Sequence, residues 1–393
     1  MAALVAAVLA GGQGRCVAAA PSTYATDLAA FFKQVDDGYP FFELKGIQAD
    51  WAATKKRLAA GVGKCRSDTE FFGLVLEAMR CLRDAHMSLD PPKAELPKPP
   101  PEYYPGISFL PAVRNSVVVM FPPKGYESQL KTGTVVVSID GKPARAVLEE
   151  RAKRAWAAGG FFSSPQRARM LEFRMPLRGR QGEKYVLGCL AENRPLEITL
   201  TSTVEAGGWP HTYNQPANLA RVGQSFFYGR LPGGAGYMYI RRVDNDTEPG
   251  LKEALAKVPD AKGWVVDLCG NGGGGYENSL VEAVKAMPRP VAVVIDEGCI
   301  SAGETLARDL AKGAGARLFG SKTAGSSTAK QHWTFPSGIA SVTLSVRSRW
   351  RLDNKPIEFN GIDPDEPVEA VPEEVARGLN SAICRAEAYL KKR

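Results

Sequence analysis

Residues 264–275 read Trp264-Val-Val-Asp267-Leu-Cys-Gly270-Asn-Gly-Gly-Gly-Gly275. A short, β-branched apolar run ends on an acid and breaks at once into glycine. That is the pattern of a fully buried strand whose carboxyl end opens into a loop. The same pattern recurs on both sides, in Tyr237-Met-Tyr-Ile240, Pro290-Val-Ala-Val-Val-Ile295 and Arg317-Leu-Phe319. Helical periodicity over about 249–258, 277–287 and 302–312 separates these runs. Continuous apolar strands joined by helices predict a largely parallel sheet covered on both faces. Such sheets carry their sites at the carboxyl ends of the strands.

Upstream the pattern changes twice. From Tyr104 to Thr203 short β runs alternate with turns: Val117–Phe121, Thr134–Ile139 closed by Asp140-Gly141, a helix over about 146–157, and a closing strand at Leu196–Leu200. From Tyr24 to about Leu89 the periodicity is helical. Ser67-Asp-Thr-Glu70 forms a capping box, and Phe71, Leu74, Val75, Ala78, Met79 and Leu82 follow on one face. The proline-rich run 91–101 is read as an extended linker and a boundary. The expected division is 21–95 helical, 104–203 β-rich and 204–393 α/β, with 1–20 an apolar, small-residue segment similar to a signal peptide. Export to a periplasmic or extracellular compartment is expected on that ground, with a cytoplasmic location as the alternative.

The 393 residues are 44% hydrophobic and 23% charged, enough to bury a core and too apolar for a disordered chain. The formal charge of +8 is uneven: net 0 over 1–103, +7 over 104–203 and +1 over 204–393. A local patch of this kind argues against nucleic acid as a partner. No run after the N-terminus is long enough for stable membrane insertion. Seven cysteines without CxxC pairs argue against a disulfide scaffold or a structural zinc. Cys269 and Cys299 end successive strands, which raises a redox-sensitive pair as one reading. The histidines are only three, His86, His211 and His332.

Two loops at strand ends invite chemistry. Gly270, Gly272 and Gly275 satisfy GxGxxG after a strand, with Asp296 ending the next strand. A dinucleotide site, a tight turn, and a cradle of backbone amides for an anion or oxyanion all fit this pattern. The second loop, Glu297-Gly-Cys-Ile-Ser301-Ala-Gly-Glu304, sets Ser301 between a buried strand and a helix N-terminus. There a serine is either an N-cap or a nucleophile, and a nucleophile needs a base.

Taken in order, these segments resemble the tail-specific (C-terminal processing) serine peptidase family, and within it the branch of the tricorn core and retinoid-binding module. The matching pieces are Val265–Gly274, Gly298–Glu304, Gly320–Gly325, Leu344–Arg351 and Ile357–Asp365, with Tyr39–Ile47 and Leu82–His86 upstream. The resemblance implies an α/β (α+β multidomain) chain: a crotonase-like, ClpP-like α/β core, an N-terminal helical segment and a PDZ-like β-rich module. It implies Ser301 as nucleophile and Gly273, Gly274 and the Ala302 amide as oxyanion hole. The lysine and glutamine of the processing branch fall on Ser326 and Lys330, so that dyad is absent in register. The tricorn-like branch points instead to His86 as general base, oriented by Glu358. The serine that this branch carries before its histidine is Ala85 here. Lys322 and Lys330 remain as backup bases; His211 and His332 are read as structural.

In the middle block, Gly106-Ile107-Ser108-Phe109 resembles a PDZ carboxylate-binding loop, which implies capture of a peptide C-terminus by strand addition. The cluster Arg167, Arg169, Arg174, Arg178 and Arg180 would favour an anionic terminus, or would be a solvated face. The expected activity is a serine-type peptidase or hydrolase acting on peptide or protein substrates through an acyl-enzyme on Ser301. It requires no metal or organic cofactor. The rival is a non-catalytic peptide- or lipophile-binding protein on the same fold.

Overall fold

Seven strands build the central sheet, in the spatial order 220–222, 226–230, 236–240, 264–267, 291–295, 317–320 and 366–367. From Gly236–Ile240 onward neighbouring strands run parallel, with Val266 opposite Val293 and Val293 opposite Leu318; the first two strands are antiparallel additions at one edge. This is a computed structural model, and it describes residues 21–393 apart from 93–94, 114, 192–193, 208–214, 276–277, 289, 348–350 and 353. The signal-like segment 1–20 and His211 lie outside the described residues. Among the described residues no helix is long and apolar enough to cross a membrane.

The strand sequences are apolar throughout because both faces are covered. Successive side chains alternate between faces. Val266, Val293 and Ile295 join one core, with Leu251, Leu280 and Leu306 from the helices Thr247–Lys257, Asn278–Lys285 and Ala302–Gly313. Val265, Ala292 and Val294 join another, against Ala382, Ile383, Ala386 and Leu390 of the helix Ser381–Leu390.

The N-terminal helices Pro21–Gly38, Gln48–Gly61 and Asp68–Cys81 do not keep a core to themselves. Phe31, Phe71, Val75 and Leu82 pack with Phe335, Ala340, Val342 and Leu344 of the hairpin Ala329–Thr334/Ser341–Val346. The strand Ser88–Asp90 pairs antiparallel with the second arm of that hairpin. The Ser67 cap accepts the Glu70 amide at 3.2 Å, while Glu70 reaches the Arg66 amide at 2.7 Å, one residue before the expected box.

The middle block holds the sheet 108–111, 117–121, 135–139, 184–191 and 194–201 in that order. The Asp140-Gly141 turn has φ of 48° and 74°. Two elements here escaped the sequence reading: the strand Lys184–Ala191 and the helix Pro165–Arg174. The helix begins on a Ser164 cap and buries Arg167, Glu172 and Arg174 beside Ala168, Met170 and Phe173, so half of its buried face is charged. An apolar-periodicity rule passes over such a helix.

Candidate active site

The strand Val291–Ile295 is buried at every position, and the chain turns immediately after it. Asp296 takes the amides of Gly270 and Gly298 at 2.7 and 3.0 Å, which binds the two loops to each other. Ser301 then adopts φ 53°, ψ −120°, and the helix Ala302–Gly313 starts at the next residue. A non-glycine residue at positive φ costs on the order of 1–3 kcal/mol and persists only where its surroundings over-determine it. Here the Ser301 amide donates to the Ser326 carbonyl at 2.7 Å and to Glu304 Oε2 at 3.2 Å. Glu304 also accepts the Thr323 hydroxyl at 2.6 Å and the Gly325 and Ser326 amides at 2.8 and 2.9 Å. Burial pushes its carboxyl up to about 7 against those four donors. Glu304 was quoted above only as part of a motif; in the fold it is the clamp between the serine loop and the 323–326 loop.

The glycine loop lies against the serine. A Cβ on Gly273 (φ +73°) would stand 2.7 Å from the Ser301 Cβ, and one on Gly274 (φ +143°) would overlap the Val243 carbonyl oxygen at 1.8 Å. Both positions therefore require glycine. Their amides differ. Gly273 donates to Asn271 Oδ1 at 2.9 Å, so its N–H is committed. That corrects the expected oxyanion set, in which Gly273 was a donor. Among the described residues the Gly274 and Ala302 amides carry no such bond. The GxGxxG reading also fails on hydrogen bonding: the amides of Gly270, Gly272 and Gly275 bind Asp296, the Arg241 carbonyl and the Val243 carbonyl. Asp296 Oδ1 takes two backbone amides, and Oδ2 lies 3.8 Å from the Arg174 guanidinium.

His86 and Glu358 enter this region from opposite ends of the chain. They join Ser301 through intermediaries and not by direct bonds. Glu358 is fully buried; Oε2 accepts the Ser327 amide at 3.0 Å, and the Ser327 hydroxyl donates to the Ser301 carbonyl at 3.4 Å. Its other oxygen takes Lys45 Nζ at 2.8 Å, a partner absent from the sequence reading. Lys45 also donates to Asp84 Oδ2 at 3.4 Å, and Asp84 Oδ1 accepts the His86 amide at 2.9 Å. The bond between Glu358 and the His86 ring implied by the resemblance is therefore replaced by an ion pair with Lys45, and His86 Nδ1 is buried with no hydrogen-bond partner among the described residues. Burial holds the imidazole below its usual value; Asp84 opposes this, and Lys330 and Lys45 add to it. Burial also raises Glu358, against Lys45. Burial would raise Asp84, but Lys45 and the bond from the His86 amide hold its carboxyl below its ordinary value. Ala85 leaves no hydroxyl before the histidine, but the Ser163 hydroxyl accepts the Ala85 amide at 3.2 Å and the Ser326 hydroxyl at 3.0 Å.

The remaining candidates fall elsewhere. Lys322 pairs with Asp363 at 3.0 Å, and His332, on the exposed first arm of the hairpin, shares a bond with the buried Thr343. Cys269 and Cys299 are buried thiols pushed well above the ordinary thiol range by burial, which removes the thiolate that a redox pair needs. Among the described residues no cluster of His, Cys, Asp and Glu could hold a metal ion. Ile107 and Phe109 are core residues, and the Ser108 hydroxyl donates to the Arg174 carbonyl at 2.6 Å. A cavity of about 420 Å³ lies between Phe109–Pro111, the helix Pro165–Arg174 and the sheet end at Ile295–Glu297. The Ala370 amide already donates to Pro111 at that strand's edge. Most of the arginine cluster is not a solvated face: Arg167 and Arg174 are buried, Arg169 pairs with Glu149 and Glu297, Arg178 with Glu172, and Arg174 lies 3.8 Å from Asp296, while Arg180 is exposed. Glu149 and Glu172 belong to the same block, while Glu297 and Asp296 come from the core, and a charge count by segment shows neither pairing.

Residues 276–368 match the model of peptidase family S41, the tail-specific family that the chain resembles. No curated protein matches the chain. Among solved structures, mature CPAF in complex with lactacystin is 11% identical, covers 95% of this chain and 97% of its own, and superposes with a TM-score of 0.58. A putative peptidase from Parabacteroides merdae is 15% identical, with coverage of 95% and 97% and a TM-score of 0.53. At these identities the likeness is one of fold, and the α/β multidomain architecture is shared along nearly the whole chain.

Proposed function

We propose that this chain, whose core segment carries the S41 peptidase signature, is a serine peptidase acting through Ser301. The observation that carries the reading is the pairing of a strained, half-buried Ser301 with two uncommitted amides, Gly274 and Ala302, at the carboxyl end of a parallel strand. Ser301 Oγ attacks the peptide carbonyl carbon as its proton passes to neutral His86. The two amides hold the oxyanion, and His86 returns the proton to the leaving amine. Water then repeats the sequence on the acyl-enzyme and releases the acid. Glu358 acts on the base through Lys45 and Asp84. The middle block is read as a PDZ-like module that presents a peptide end, and the protein as one working outside the cytoplasm.

The non-catalytic reading, a peptide or lipophile binder on this fold, has one observation in its favour: Glu358 is engaged by Lys45 while His86 Nδ1 stands unpaired. Fluorophosphonate labelling separates the two readings. Wild type is expected to label at Ser301 and to hydrolyse peptide, and Ser301→Ala and His86→Ala are expected to do neither. Absence of Ser301-dependent labelling and hydrolysis would sink the enzyme reading.

A further inference from the structure

Lys45 is a lysine buried out of reach of solvent. Its side chain and those of Asp84 and Glu358 all have 0% exposure. It ends the one-turn helix Phe42–Lys45, closed by Gly46 at φ 64°. An ammonium has three protons to place, and burying one is costly unless each finds an acceptor. Lys45 finds three: the Arg83 carbonyl at 2.9 Å, Asp84 Oδ2 at 3.4 Å and Glu358 Oε1 at 2.8 Å. The rings of Tyr39 and Phe41 lie 5.6 and 5.5 Å from Nζ and close the cage.

What this ion joins is more telling than its burial. One arm runs through Asp84 to the His86 amide. The turn on that arm is itself strained, with Arg83 at φ 50°, and Tyr39 Oη pins it by donating to Leu82 O and Asp84 Oδ2. The other arm runs through Glu358 to the amide of Ser327, next to Ser326, whose carbonyl holds the Ser301 amide. The Ser163 hydroxyl reinforces this arm at Glu358. Lys45 is the node where the two arms meet. A lysine present only for packing has no need of acceptors from two segments 274 residues apart, Asp84 and Glu358.

We propose that Lys45 is a positioning residue of the Ser301 site, fixing the His86 turn through Asp84 and the serine loop through Glu358. The inference rests on the reading of Ser301 and His86 given above and adds the N-terminal helical segment to the machinery. Lys45 never touches the reacting atoms.

The test uses the full chain with Lys45→Met, Lys45→Arg, Glu358→Gln and the double variant Lys45→Met/Glu358→Gln. The double variant removes both charges and leaves no unpaired carboxylate at 358. The first readout is the titration of the His86 imidazole by NMR, assigned with His86→Ala; the charged groups acting on that ring are Asp84, Lys330 and Lys45. Loss of the Lys45 charge is expected to raise the His86 midpoint and to leave His332 unmoved. The second readout is fluorophosphonate labelling of Ser301, expected to slow at least tenfold in Lys45→Met and to recover in part in Lys45→Arg. Should Lys45→Met not fold, the double variant is compared with Glu358→Gln for the same His86 shift. An unchanged His86 titration in the folded variant overturns the proposal. Failure of Lys45→Met and of the double variant to fold would also overturn it, leaving Lys45 a structural ion only. If wild type does not label at Ser301, the peptidase reading falls, while the His86 titration still decides the role of Lys45.

Discussion

Gly273 and Ser301 touch: a Cβ added at 273 would lie 2.7 Å from the Cβ of Ser301 and 3.2 Å from the Ile300 carbonyl. The glycine loop and the serine loop, from successive strands, therefore define each other. The serine's strained dihedrals are held from one side by this contact and from the other by Glu304 and Ser326.

Gly273→Ala is expected to push Ser301 out of register while leaving the sheet intact. The backbone at φ +73° and the contact together cost about 1–3 kcal/mol. Labelling of Ser301 should fall at least tenfold while cooperative urea unfolding persists. Labelling at the wild-type rate would show that the contact does not matter.

Glu304 makes a prediction about pH. Its carboxyl is raised in the fold from the ordinary 4.5 to about 7, so folding favours its protonated form. That stabilisation is fully present below pH 4.5 and is lost as pH rises through 7, amounting to at most about 3 kcal/mol. Glu304→Gln abolishes this titration and should flatten the loss of urea stability between pH 5 and 8. It should also destabilise at all pH values, since an amide cannot accept all four donors. An unchanged slope would remove Glu304 from the account.

His86 is held below its usual value by burial, so it is neutral and able to accept a proton at neutral pH. The rate of Ser301 labelling is expected to rise with pH through a midpoint below 6.5 and then to level off. His86→Ala should lower the plateau by about 10²–10⁴-fold. A midpoint near 10 would point to a lysine as the base.

Arg169 bridges Glu149 of the middle block and Glu297 of the core. Arg169→Met leaves the buried Glu297, already raised by burial, without its main compensating charge. The substitution is expected to cost about 2 kcal/mol at pH 7.5 and clearly less at pH 4.5, where the raised carboxyl holds more of its proton. Chemical unfolding at the two pH values checks this. Equal costs would reduce the pair to a solvated contact.

The parallel sheet was legible from Trp264–Asp267 and its neighbours, because a strand buried on both faces must be apolar at every position. The Ser301 turn was legible from a strand end followed by a helix start, and the need for glycine at 274 from its loop. The helix Pro165–Arg174 was not, because half of its buried face is arginine and glutamate, matched only once Arg151, Arg178 and Asp296 fold against it. Lys45 was invisible for the same reason. Nothing local in Phe42-Glu-Leu-Lys45 tells a buried lysine from a solvated one; Asp84 and Glu358, its acceptors, arrive only when the N-terminal helices share a core with the hairpin 329–346. Likewise, part of the middle block's net +7 is met by acids outside the block, Glu297, Asp296 and Glu369, which no local count reveals. Local chemistry, which follows from side-chain type and spacing, could be read from the sequence alone. Which charge neutralises which, and which glycine amide is left uncommitted, depends on contacts between distant segments, and only the tertiary structure decided it.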